Sequence, residues 1–223
     1  MILLVWSFCV IMSSAPMLAQ TSSANVGADA LEHALDYFAS GKYHEALILF
    51  KQLNKQYKLN PRFKAYTALC YYHEWDYKEA VKWFDENIPQ LEGLAPSELS
   101  VYSFAAAESY FNINEYAKAI PYYNRTLALC YPRDRADNYY RLGFCFHLLR
   151  MDMTAQAYFM LADYYFTQYR NGDETISKRA QIAHMIKGLS VKTLKELNKS
   201  YAQSLSLQRE GRESSDENSK TTQ

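Results

Sequence analysis

"DYKEAVKWFD", residues 76–85, places Tyr77, Ala80 and Phe84 three and four residues apart, on one face of an amphipathic helix. A methyl group between two large rings marks a place where a second helix must come close. The device recurs. An alanine followed four residues later by a ring stands at Ala46/Phe50, Ala80/Phe84, Ala119/Tyr123 and Ala155/Phe159, at spacings of 34, 39 and 36 residues. Twelve positions before each alanine is another small residue (Ala34, Ala68, Ala107, Gly143), and nine before it a ring (Tyr37, Tyr71, Tyr110, Phe146). Three before it stand Tyr43, Tyr77 and Tyr116, with Asp152 in the fourth unit.

Columns that hold through four units define a repeat protein, in which each unit is one supersecondary element that buries its apolar face on its neighbours. The pattern resembles the tetratricopeptide repeat family, whose unit is an antiparallel helix pair of about 34 residues. "YYRLGFCFHLLRMDMTAQAYF", residues 139–159, carries the resemblance best: Tyr139, Leu142, Gly143 and Phe146 reproduce the first-helix signature of the family. The resemblance implies an all-α fold, a right-handed superhelical solenoid of antiparallel helix pairs. Its four repeats cover residues 28–169, as units of about 28–59, 61–94, 97–132 and 134–169. The long third spacing has a local source in "PQLEGLAPSE", residues 89–98, where Pro89, Gly93 and Pro96 impose a longer loop. Ser97 and Glu98 are expected to cap the helix that follows, and Pro121 to sit in the first turn of its own. The turns inside the four pairs centre on Gly41, Trp75, Asn114 and Arg150. Trp and Arg enter a left-handed turn only with strain, so the second and fourth turns are expected to differ in shape from the others.

A stack of helix pairs needs a polar cap. Residues 173–207 fit that role as two capping helices that break phase at Gly188, and residues 208–223, without an apolar side chain, are expected to be disordered. Six cations (Lys178, Arg179, Lys187, Lys192, Lys195, Lys199) face one anion, Glu196, between Ile176 and Lys199. This run reads as a solvated outer face, or as a weak membrane contact.

The N-terminus has the layout of a signal peptide over residues 1–19: an apolar run from Ile2 to Met12, small residues, and Pro16. Cleavage is expected after Ala19 or, alternatively, after Ala24, which predicts an exported chain, periplasmic or secreted; an uncleaved N-terminus would instead anchor it to the membrane. Four cysteines, one of them inside the apolar run, leave Cys70, Cys130 and Cys145, an odd number that argues against a disulfide scaffold. The formal net charge is zero, so no global field draws nucleic acid, and no nucleic-acid partner is expected.

Catalytic and metal motifs are missing. His73-Glu74 opens like a zinc-protease helix, but the second histidine would fall at Tyr77. The five histidines form no i, i+4 pair, and seven glycines build no phosphate loop. The reading is therefore non-enzymatic, with no cofactor. By the resemblance, the first helix of each pair lines a concave groove through Leu31, Leu35 and Phe38; Ala65, Leu69, Tyr72 and His73; Phe104, Glu108, Phe111 and Asn112; and Arg141, Phe144 and His147. The groove reads as aromatic with few charges, apolar where family members that clamp a terminal carboxylate carry Lys and Asn. The expected partner is a protein or peptide segment, and the expected role an adaptor or scaffold in an envelope or secreted assembly. A carbohydrate or peptidoglycan ligand stacked on the rings is the alternative.

Overall fold

The computed structural model describes residues 17–170 and 172–220. Nine α-helices follow one another among the described residues: α1 (Met17–Ala39), α2 (Tyr43–Gln56), α3 (Pro61–His73), α4 (Tyr77–Asn87), α5 (Pro96–Asn112), α6 (Tyr116–Leu129), α7 (Arg135–Leu148), α8 (Asp152–Tyr169) and α9 (Ile176–Lys220). Each packs on the next in chain order, so α1–α2, α3–α4, α5–α6 and α7–α8 form four pairs stacked as an all-α solenoid, with α9 against α8. The leader expected over residues 1–19 lies outside the described residues except for its last three, which open α1. None of the described helices is long and apolar enough to cross a membrane.

The small residues sit where the paired helices cross. Ala34, Ala46, Ala68, Ala80, Ala107, Ala119 and Ala155 have no exposed surface, nor have the rings Phe50, Phe84, Tyr123 and Phe159. At the fourth crossing the approach is so close that a Cβ on Gly143 would lie 2.7 Å from the Phe159 ring. Side chains tie one pair to the next. Asp85 on α4 accepts from Tyr110 Oη on α5 at 2.5 Å and from Tyr122 Oη on α6 at 2.6 Å. Arg62 on α3 grips Glu98 on α5 through Nε at 2.7 Å and Nη2 at 2.9 Å, and Tyr102 Oη adds a bond of 2.6 Å to the same carboxylate. Cys70 and Cys145 are buried free thiols and Cys130 a half-buried one. Burial pushes Cys70 and Cys145 up to about 12, so they stay protonated as apolar filler.

The four internal turns share one shape, against the expectation that the second and fourth would differ. Gly41, Trp75, Asn114 and Arg150 all take a left-handed conformation, with φ of 73°, 61°, 64° and 64°. In each turn that residue's N–H bonds the carbonyl three back (Phe38, Tyr72, Phe111, His147). The next N–H bonds the carbonyl five back (Tyr37, Tyr71, Tyr110, Phe146). This is a Schellman closure repeated four times. Packing of the two helices dictates the turn, and the residue type at its apex only sets the strain.

Other local expectations are corrected as well. Helix α5 begins at Pro96 with Ala95 in the cap position and no side-chain cap bond, because proline is already suited to the first helical position and Glu98 is committed to Arg62. Helix α6 begins at Tyr116, directly after its Schellman turn, so Pro121 falls in the second turn, on the exposed side. Residues 173–207 are not two helices. Helix α9 runs unbroken through Gly188, since one glycine costs a helix only about 1 kcal/mol, and Ile182 and Leu189 on either side are buried. It also continues over residues 208–220, expected to be disordered; that stretch is rich in Arg, Glu, Gln and Lys, which favour helix even where nothing apolar packs.

Gly143→Ala should lower the melting temperature, by overpacking worth about 1–3 kcal/mol, because the new methyl meets the Phe159 ring. Trp75→Gly should raise it, by relief of about 1 kcal/mol, since Trp75 is 79% exposed and loses little contact. Thermal unfolding followed by circular dichroism reads both; a stabilised Gly143→Ala or a destabilised Trp75→Gly contradicts the geometry.

Candidate interaction groove

Helices α1, α3, α5 and α7 turn a common face to one side of the stack, and three cavities adjoin along it. The first, about 290 Å³, lies among Phe38, Tyr43, Tyr66, Leu69, His73 and Val101. The second, about 440 Å³, shares Leu69, His73 and Val101 and adds Tyr72, Phe104, Asp134, Asp137 and Asn138. A third of about 370 Å³ shares Phe104 and Asp137 and ends on Glu108, Tyr140, Arg141 and Lys178. The shared linings make them one groove that draws on all four repeats and ends at α9.

Its first end is built from rings that cover one another. Tyr43 stacks on His73 at 3.9 Å between centroids and 6° between planes, and Phe38 on Tyr66 at 4.8 Å and 20°. Burial pushes the His73 pKa down, so the ring facing the groove is a neutral imidazole. Tyr72 is half-buried, and burial pushes its phenol up. Val101, by contrast, is 53% exposed, an aliphatic side chain presented to the groove.

The far end is ionic and fully paired. Glu108, 5% exposed, accepts from Tyr123 Oη at 2.5 Å and from Arg141 Nη2 at 2.7 Å. Arg141 also lies over the Phe111 ring, 4.9 Å from its centroid. Burial, then the Glu108 charge, push the Tyr123 phenol far up, so it remains a donor. Asp137 accepts from Lys178 on α9 at 2.5 Å and from Arg170.

Of the residues expected in the groove, Phe38, Leu69, Tyr72, His73, Phe104, Glu108 and Arg141 line it. The others are used elsewhere. Leu31 and Leu35 pack against the first core cluster, and Ala65 is enclosed within it. Phe111 lies beneath Arg141 and edge-on to Tyr116 at 5.4 Å. Asn112 donates to the Glu108 carbonyl at 2.7 Å. Phe144, half-buried, meets Phe159 edge-on at 5.0 Å against the core of the last pair, and His147 is hydrogen-bonded to Asp152 at 3.0 Å.

Tyr43, Tyr66, Val101, Asp137, Tyr140 and Lys178 also line the groove, although the helical stripe does not assign them to it. Tyr66 and Val101 lie one helical turn before Leu69 and Phe104, and Asp137 one turn before Arg141, so the stripe extends one turn further toward the helix N-termini than the spacing argument carried it. The expectation of few charges holds only for the first half; the second gains its charges from the start of α7 and from α9. Among the described residues no three His, Cys, Asp or Glu side chains converge on a metal site. Half of the basic run of α9 is spent inward: Lys178 pairs with Asp137, Arg179 with Asp163 at 3.4 Å, and Lys192 with Asp152.

Residues 31–93 match the tetratricopeptide repeat family model. No curated protein matches the chain. Among solved structures, MamA (residues 41 to the end) from Desulfovibrio magneticus RS-1 superposes with a TM-score of 0.52 and 20% identity, covering 78% of this chain and 96% of that one. The apo form of RapI gives a TM-score of 0.57 and 12% identity, over 76% and 64% respectively. At these identities the likeness is one of fold.

Arg141→Leu should destabilise the protein by about 2–3 kcal/mol, because it leaves the Glu108 carboxylate buried with a single donor. Adding Glu108→Gln should recover part of that loss. Denaturant unfolding of the two variants checks it, and an additive double variant would show that the two groups do not act as a pair.

Proposed function

We propose that this chain, whose residues 31–93 match the tetratricopeptide repeat family, is a protein–protein interaction module, an adaptor that holds a segment of a partner protein in the groove along α3, α5 and α7. The observation that carries the reading is the continuity of the three cavities across the four repeats, with the exposed Val101 at the junction of the first two and aromatic walls on either side. A continuous apolar trough with a polar end suits an extended or helical peptide, whose side chains enter successive pockets while the ends of the groove set its register. A sugar ligand is disfavoured. The ring faces that a pyranose would cover at the first end are taken by Tyr43 on His73 and Phe38 on Tyr66. The apolar run Ile2–Met12 supports export, and with it a partner in the cell envelope or outside the cell.

The test is affinity purification of the chain from its native host, with Val101→Arg and Lys82→Ala in parallel. Val101 is exposed, so arginine there fills the trough without disturbing the core, whereas Lys82 lies outside the groove, paired with Glu79 on α4. The wild type and Lys82→Ala should return the same stoichiometric partner, and Val101→Arg should lose it by at least tenfold. Loss with Lys82→Ala and retention with Val101→Arg would move the interface off the groove. The intact mass of the same sample reads export: a full-length chain speaks against a cleaved leader.

A further inference from the structure

The middle cavity of the groove has a chemical bias at the end where it meets the start of α7. The polar groups that α7 and its preceding turn contribute there are acceptors: the carboxylates of Asp134 and Asp137 and the side chain of Asn138. Asn138 is 2% exposed, and its Nδ2 donates to the Asp134 carbonyl at 3.0 Å, which leaves Oδ1 without a partner in the wall of the cavity. A buried amide oxygen without a donor costs about 1–3 kcal/mol. The Thr126 hydroxyl beside it already gives its proton to the Tyr122 carbonyl at 2.9 Å, and the Cys130 thiol is only a weak donor.

The nearby cations do not fill this place. Arg133 reaches Asp134 only across 3.6 Å and is mostly exposed, and Arg135 points its Nη1 to Tyr165 Oη at 3.4 Å. Lys178 and Arg170 are held by Asp137. What remains is a pocket of about 440 Å³ lined by Phe104, Tyr72, Val101 and Leu69 together with Asp134 and Asn138, whose buried Oδ1 has no partner.

We propose that this pocket receives an arginine side chain of the bound peptide segment. Its methylenes lie along Val101 and Phe104, where the planar guanidinium also finds a ring face, and its N–H groups reach Asp134 and Asn138 Oδ1. Arginine meets both demands of the site, several donors in a fixed plane and an apolar stem, whereas lysine offers a compact ammonium. The inference deepens the groove reading and rests on it.

The test uses the labelled full chain on an array of nine-residue peptides with random flanks, each synthesised with arginine, neutral citrulline or glutamate at its centre. Arginine-centred peptides should retain about tenfold more protein than their citrulline twins, equivalent to about 1.4 kcal/mol, and glutamate-centred ones the least. Asp134→Asn should erase that advantage without changing the melting temperature, because Asp134 makes no side-chain cap bond to α7. Asn138→Leu should do the same wherever its circular dichroism is native. Equal retention on arginine and citrulline overturns the inference; if Val101→Arg then abolishes both, the groove reading stands without it. An arginine preference that survives Asp134→Asn overturns the assignment of the pocket. Retention on no peptide overturns the inference and the groove reading together.

Discussion

The constraint on which everything else depends is the near-contact of two helices at each small residue. A helix pair joined by a three-residue turn can bury its rings only if the backbones approach, and seven enclosed alanines and one glycine allow that approach. Once the distance is set, the rings four residues beyond the second-helix alanines have one place to go, and Phe50, Phe84, Tyr123 and Phe159 are all fully enclosed there. The same geometry repeated along the chain makes each pair present its first helix to one side. A groove is therefore a by-product of the crossing, available before any residue is chosen to line it.

The turns show how far such a constraint reaches. Read locally, Trp75 and Arg150 are poor residues for a left-handed apex, and a local reading makes their turns different. The crossing instead fixes where each helix ends and where the next begins, so the backbone takes the glycine-like conformation at a cost of roughly 1–2 kcal/mol. The same reasoning covers α9. Gly188 looks like a phase break, yet Ile182 and Leu189 anchor the helix to the last pair on both sides of it, and packing outweighs the propensity of one residue.

Legibility in the sequence follows the same division. The repeat, the pairing of helices and the crossing residues were readable because they depend on spacing within one unit. Seven of the fourteen positions that the stripe assigns to the groove line its cavities, because the first helix of each pair is regular. Phe144 and His147 fall outside the groove because both are engaged by α8 of their own pair, Phe144 edge-on to the Phe159 ring and His147 hydrogen-bonded to Asp152. The charged end was unreadable for a similar reason: Lys178 and Arg170 reach Asp137 from elements 41 and 33 residues away, and no period in the sequence predicts such contacts.

One side chain joins the two levels. Tyr123 is a column ring, placed by the crossing of α5 and α6, and it is fully buried for that reason. Its hydroxyl nevertheless holds Glu108, which holds Arg141, which lies over Phe111. The carboxylate is too enclosed to turn toward water, so its direction is set by the core. The guanidinium that closes the groove is thus oriented, through Glu108, by Tyr123, a ring with no exposed surface. In this chain the repeat motif supplies more than a scaffold: at the third repeat its own packing ring is the first member of the polar chain that shapes the groove.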